Sequence, residues 1–223
     1  MLGDSWRDGV RAGLPVAVPT LTLGVVFGVL AKPVMGTVAP IVMSTLVFSG
    51  AAQFAALSVL GAGGGVLAAS LAGVLLNVRW LAMGFAVAPS LPGRAAARAL
   101  RAQAIVDASF AISSRGDGTF DSGRLVGATI PQVTAWITGT IVGVFSGALL
   151  SDPKVLGLDA IFPAFYLSLL AAELRSHPAA GRRQAALAAV GGGAVTLGLM
   201  SFAPPGVPLL GAAVVALIGL RRT

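Results

Sequence analysis

One arginine lies deep inside an apolar run. Arg79 sits near the centre of residues 65–88, two positions after Asn77. A charge at the middle of a bilayer costs roughly 2.5–3.5 kcal/mol on insertion scales, so such a residue faces a bundle interior and takes a partner. Its guanidinium could hold a substrate carboxylate or exchange partners during transport; a permanent ion pair is the plainer reading. Acids that could answer it are few. Asp107 lies in the apolar stretch Ile105-Val106-Asp107-Ala108-Ser109-Phe110, while Asp159 opens and Glu173 closes the run 155–174. An acid inside a membrane can bind and release protons, which couples many carriers to a gradient. The end positions of Asp159 and Glu173 favour solvated, interfacial acids, so Asp107 is the first coupling candidate and Asp159 the second.

A second group sits in the middle of the run 38–60, at Ser49-Gly50-Ala51-Ala52-Gln53. Ser49, Gly50 and Gln53 offer a hydroxyl, a bare backbone and an amide. Unwound backbone at membrane depth is tolerated only where it lines a cavity or contacts protein. Half-helix ends at such a break receive the carboxylate and ammonium groups of amino acids in some carriers. Close helix packing through Gly50 and the two alanines is the competing reading. Pro163 is expected to bend the run 155–174 in a similar way.

Other motifs read as packing or solvation. Gly139, Gly143 and Gly147 recur every fourth residue, a small-residue contact face. Thr134 and Thr138 form a hydroxyl stripe, of the kind that bonds local carbonyls. Arg94, Arg98 and Arg101 share a helix face among alanines, as in a helix at lipid headgroups. His177, the single histidine, lies in an arginine-rich loop. No zinc-ligand cluster, phosphate loop or Ser/His/Asp set is present, and Cys is 0, so no metal, cofactor or enzyme chemistry is expected.

The elements that must position these residues follow from composition. Hydrophobic residues make up 56% of the 223 and charged residues 10%, with a mean hydropathy of +0.91. Soluble domains carry about 25% charge, so the solvent of this chain is a bilayer. The net charge of +7 then reflects basic cytoplasmic loops rather than nucleic-acid binding. Pro15, Pro19 and the length of the first run argue for a retained helix rather than a cleaved signal. Apolar runs at 12–31, 38–60, 65–88, 125–150, 155–174, 184–203 and 207–220 predict an all-α, polytopic helical membrane protein of about seven spans. They form a single integral membrane transport domain over 1–223, with a basic segment at 92–124 in the cytoplasm.

Seven crossings put eleven of the 15 Lys and Arg on one side, which makes that side cytoplasmic and the N-terminus external. If 38–60 is instead a re-entrant hairpin bent at Gly50, the N-terminus is internal and the split is twelve to two. A weak repeat favours seven crossings. Gly13-x-Pro15 and Gly24-xxx-Gly28 in the first run are echoed by Gly127, Pro131 and Gly139-xxx-Gly143 in the fourth. The implied halves, 12–91 and 125–203, form an inverted repeat with broken helices.

The residues also carry a resemblance. Phe27-Gly28, Met43-Ser44, Ser49-Gly50-Ala51-Ala52-Gln53-Phe54, Asn77-Val78-Arg79, Asp107-xx-Phe110, Gly139 through Gly147, Leu156-Gly157-Leu158-Asp159 and Pro163-Ala164-Phe165 resemble, in order, the AzlC-type large subunits of bacterial branched-chain amino acid exporters. The sequence departs at Asp107-Ala108, where members often carry Asp-Glu, and at Trp80 and Met83-Gly84, where they often show histidine or tyrosine. The resemblance implies a secondary exporter in the bacterial plasma (inner) membrane, coupled to protons and working with a small hydrophobic AzlD-type subunit. The expected substrate is a branched-chain or similar small hydrophobic amino acid. The alternatives are a non-transporting scaffold subunit, motivated by the glycine stripe, and a passive small-solute channel.

Overall fold

The computed structural model describes residues 2–147 and 179–203, with isolated positions 167, 171, 175, 211, 212 and 214. Its helices are α1 (Leu2–Met35), α2 (Val38–Leu46), α3 (Gly50–Gly61), α4 (Val66–Asn77), α5 (Arg79–Val87), α6 (Ala95–Ala102), α7 (Asp107–Ser113), α8 (Ser122–Ser146) and α9 (Ala179–Met200). A 3-10 turn at Ala88–Ser90 follows α5. Among the described residues there is no strand, only an isolated bridge between Ser114 and Phe120. The protein is all-α there, as the long apolar runs require.

Two described helices are long and apolar enough to cross a bilayer, Asp4–Met35 and Ser122–Ser146. The broken pair Val66–Asn77 and Trp80–Ser90 makes a third if its halves form one span. The expected runs 155–174 and 207–220 lie, apart from isolated positions, outside the described residues. The first run is longer than its hydropathy indicated, because α1 starts at Leu2 and carries Pro15, Pro19 and Pro33 inside it. A membrane helix tolerates such prolines because neighbouring groups satisfy the freed carbonyls.

The chain divides into two compact units. The first holds Met1–Gln53 and Leu76–Ser151, the second Phe54–Leu75 and Asp152–Thr223. In the second, Ala69 and Ala72 of α4 are buried, and Gly192 of α9 lies against Ala212.

The first unit is built on α1 packed along α8. A Cβ on Gly13 would come within 2.9 Å of Pro131, one on Gly24 within 2.6 Å of Trp136 O, and one on Gly28 within 2.7 Å of Val144 N. The partners climb α8 as the glycines climb α1, so the helices run parallel. The contact is reciprocal, since a Cβ on Gly139 would sit 2.9 Å from Val25 N. Only glycine lets two backbones meet at this range. The echo between the two glycine patterns is thus a shared contact face. An inverted second copy would run antiparallel to the first, so α1 and α8 do not stand in that relation.

The N-terminal ends of both helices also meet. Ser5 Oγ donates to Asp121, the residue that caps α8 by accepting from Gly123 N at 2.9 Å and Arg124 N at 3.0 Å. Asp121 further pairs with Arg115 at 2.8 Å. The N-terminus therefore lies at the same end as the basic segment 92–124, whereas the seven-crossing reading put them on opposite sides. That segment is folded: Val87, Leu91, Ala104, Ile105, Phe120 and Leu125 form a buried apolar cluster beneath it. Its arginines at α6 serve backbone carbonyls, Arg98 donating to Ala88 O at 2.7 Å and Arg101 to Pro92 O at 2.9 Å.

Candidate functional site

Two helix interruptions lie in the first unit, and they meet. The first gap is Val47–Ser49, between α2 and α3; the second is Val78, between α4 and α5. Ser49 Oγ donates to Asn77 Oδ1 at 2.7 Å. Ser49 also caps α3, its hydroxyl accepting from Ala52 N at 3.3 Å and its carbonyl from Gln53 N at 2.9 Å. A cap of this kind satisfies N–H groups that a helix start leaves without intrahelical partners.

Gln53 closes the other side of the first gap. Its Nε2 donates to Val47 O and, at 3.4 Å, to Met43 O, the carbonyls at the end of α2. Its Oε1 accepts from Ser44 Oγ and from Trp136 Nε1, both at 3.1 Å. Ser44 Oγ also lies 2.9 Å from Thr140 Oγ1, which in turn reaches Trp136 O at 3.0 Å. Gln53, Ser44 and Thr140 are 0% exposed. A buried amide in an apolar surround is costly unless its hydrogen bonds are made. Here both ends of the amide are used, so Gln53 fastens the two half-helices to α8. Trp136 and Thr140 lie near the middle of α8, which puts the fastening at mid-depth of that span.

Gly50, the first residue of α3, rests on the Trp136 ring, which itself stacks on Phe27 with centroids 6.0 Å apart. Arg79 opens α5 immediately after the second gap; its side chain lies outside the described residues. Next to it, Trp80 Nε1 is buried without a hydrogen-bond partner among the described residues. An orphaned buried donor costs on the order of 1–3 kcal/mol.

Of the residues singled out from sequence, Ser49, Gly50, Gln53 and Asn77 come together at this place, with the backbone of Arg79 beside them. Asp107 is not part of this group. It is exposed in the first turn of α7. Ala104, three residues earlier, accepts from Thr129 Oγ1 at 2.7 Å, and Thr129 is about 16 Å along α8 from Thr140 at 1.5 Å per residue. Pro163 and Asp159 lie outside the described residues, as do Glu173 and His177. Thr134 and Thr138 are exposed, and the buried hydroxyls of α8 are Thr129 and Thr140. Ser44, Trp136, Thr140 and the Trp80 N–H were not legible as site residues. Trp136 and Thr140 meet Gln53 only through tertiary packing, and the one local hint was that Ser44 and Thr140 interrupt otherwise apolar faces.

At the end where α1 and α8 begin, burial pushes the Asp121 carboxyl up. The hydrogen bonds from Ser5 and Arg115 and from the Arg124 N–H outweigh it and hold the group well below the usual carboxylate range. The hydrogen bond to Asp121, and then its charge, raise Arg115 in turn.

Comparison with known proteins agrees with this reading of the chain as a membrane protein. The family described as AzlC protein matches residues 15–150. The inner membrane protein YgaZ of Escherichia coli is 26% identical over 185 residues, covering 77% of this chain and 74% of that protein. An uncharacterized membrane protein of Archaeoglobus fulgidus is 29% identical over 195 residues, covering 86% of this chain and 83% of its own. No solved structure matches. The matched span takes in α1 from Pro15 onward, both gaps, the basic segment and all of α8, and the chain belongs to the AzlC family of membrane transport proteins.

Proposed function

We propose that the protein is the large subunit of a secondary exporter that moves branched-chain or similar small hydrophobic amino acids out across the bacterial plasma membrane, coupled to protons. The observation that carries this reading is the Ser49–Asn77 hydrogen bond, which joins two interrupted helices at mid-depth. Interruptions inside a bilayer persist where they line a cavity, and paired half-helix ends suit a zwitterionic substrate. Ser49, Gly50, Gln53, Asn77 and Arg79 form the substrate site, Arg79 taking the carboxylate, and the unsatisfied Trp80 N–H offers a further donor. The coupling proton falls to Asp107 or Asp159. A small AzlD-type subunit completes the transporter. The glycine stripe that favoured a scaffold role is filled by α1 of the same chain, which weighs against that alternative.

Liposomes holding this chain and its small partner test the proposal. Labelled leucine should exchange in saturable counterflow and respond to an imposed proton gradient. Absence of movement under every gradient would refute transport. Normal export by a well-folded Arg79→Ala, Gln53→Leu double variant would refute the site.

The proposed orientation rests on packing and charge together. With 92–124 in the cytoplasm, the N-terminus is cytoplasmic too, and the basic residues divide twelve to two, Lys32 and Lys154 outside. Parallel α1 and α8 require an odd number of crossings between them. Of the two interrupted pairs, α2–α3 and α4–α5, one therefore crosses and the other turns back. Thiol labelling of Asp4→Cys and Gln103→Cys should report one and the same side, against a background without native cysteine. Reaction from opposite sides would overturn this arrangement.

A further inference from the structure

We infer that Trp136 is the positioning residue of the candidate site: its indole is the surface against which the first turn of α3 is set. This rests on the proposed reading of the Ser49–Gly50 gap as the place where substrate is held. Four observations converge on the ring. A Cβ on Gly50 would lie 2.9 Å from Cη2 and 3.2 Å from Cζ3 of Trp136, the far edge of the six-membered ring. The indole N–H donates to Gln53 Oε1 at 3.1 Å, three residues further along the same turn. A face of the ring system stacks on Phe27 of α1, with an interplanar angle of 27°. The side chain is 3% exposed.

The ring therefore meets α3 twice, once by contact at Gly50 and once by a hydrogen bond at Gln53. Those residues flank the turn that Ser49 caps. A ring stacked on Phe27 has little room to retreat, because close-packed interiors transmit strain rather than absorb it. Moving the ring edge moves Gly50, and with it the Ser49 hydroxyl that reaches Asn77. Position 50 has to be glycine because the ring occupies the volume of a side chain there, not because of its backbone angles. Trp136 belongs to α8, whose glycines tie it to α1, so the site takes its geometry from the rigid helix pair.

The test is a size-compensation cycle in the full chain with its partner subunit. Gly50→Ala places a methyl group against the ring and should lower leucine counterflow at least about fivefold, chiefly through KM. Trp136→Phe shortens the ring, opens that space and removes the donor to Gln53. Adding Trp136→Phe to Gly50→Ala should recover part of the lost transport, although each change alone is harmful. A structural role unconnected with position 50 gives additive losses instead.

A second readout does not depend on transport. Phe48→Cys, the sole thiol in the chain, reports the gap through its labelling rate. Gly50→Ala should change that rate by roughly threefold or more, and the double variant should return it toward the parent. If Gly50→Ala fails to assemble, the pair Trp136→Phe and Trp136→Phe/Gly50→Ala still decides. The first should loosen the gap and raise labelling, and the added methyl should bring it back. Compensation in labelling with no transport by the parent protein would sink the transport reading and leave Trp136 in its positioning role. Additive effects in both readouts would overturn the inference itself.

Discussion

The α1–α8 contact and the gap at Val47–Ser49 lie side by side and are built in opposite ways. Along α1 and α8, glycine meets backbone with nothing between, and the polar tie from Ser5 to Asp121 is confined to their first turns. At the gap, two half-helices are held by hydroxyls, an amide and an indole N–H. Backbone packed on backbone has one register, set by the i, i+4 spacing of the glycines, and gains dispersion energy only at full contact. Hydrogen bonds between side chains can exchange partners at modest net cost, since each is worth about 0.5–1.5 kcal/mol. The pair is suited to be the frame, and the gap to be the part that changes when substrate arrives.

Breaking the frame should have the largest effect. Gly139→Val adds a branched side chain where even a Cβ would stand 2.9 Å from Val25 N. Neither backbone can give way, so the cost should exceed the roughly 1–3 kcal/mol of ordinary overpacking. The expected outcome is loss of monodisperse protein in detergent. Gly84→Ala, which meets nothing within 4 Å, should leave thermal stability within about 0.5 kcal/mol of the parent. If Gly139→Val purifies with an unchanged Tm, the distinction between frame and gap collapses.

Gln53→Leu should come next. It strands the Trp136 N–H, at about 1–3 kcal/mol for a buried group left unmet, and takes one bond each from Ser44 Oγ, which keeps Thr140, and from the Val47 carbonyl, which keeps Ser49 N. Thermal unfolding in detergent should show a clear fall in Tm with the protein still folded. The sharper expectation is that Phe48→Cys becomes more reactive while a thiol on the α1 face stays protected. Equal loosening of both would mean that the amide holds the whole unit, not the gap alone.

How far the sequence revealed this contrast depended on the distance over which each signal acts. Hydropathy located α1 and α8, because twenty apolar residues leave a strong local mark. The polar and small residues at 49–53 marked the first gap to within two residues. The second gap was missed, since Val78 is apolar and neither glycine nor proline announces it. The glycine spacings were visible but ambiguous: similar patterns in two helices arise from a repeat or from mutual contact, and only direction distinguishes them. Asp121 drew no attention because an acid at a helix start is ordinary. Its role as a tie to Ser5 depends on a partner 116 positions away. Trp136 and Gln53, 83 positions apart, were hidden for the same reason. Arg79, read as a mid-run residue, opens a half-helix.

A smaller effect should separate the two gaps from each other. Ser49→Ala deletes the donor to Asn77 and the cap of α3 but leaves Gln53 in place. A lost cap costs typically about 1 kcal/mol, so Tm should move less than in Gln53→Leu. If the joined gaps hold substrate, leucine KM should rise severalfold while the folded yield stays unchanged. A Tm loss equal to that of Gln53→Leu, with KM unmoved, would make Ser49 a structural cap and nothing more.

The smallest effect belongs to the end of the frame, and it is a matter of pH. Asp121 joins α1 to α8 through Ser5, Arg115 and the first turn of α8, and its native carboxyl is held below the usual range. A group whose native pKa is depressed contributes stability that is complete above its unfolded value, about 3.9 for aspartate, and that is lost as pH falls toward the native value. Between about pH 6 and 8, both states keep Asp121 ionised, so its contribution to unfolding should be flat with pH. Below about pH 4 the parent should lose stability more steeply than Asp121→Asn, which keeps an acceptor for the cap but has no charge to neutralise. Parallel acid profiles for the two proteins would mean that the carboxylate adds nothing beyond its cap. The tie between α1 and α8 would then rest on the glycine face alone.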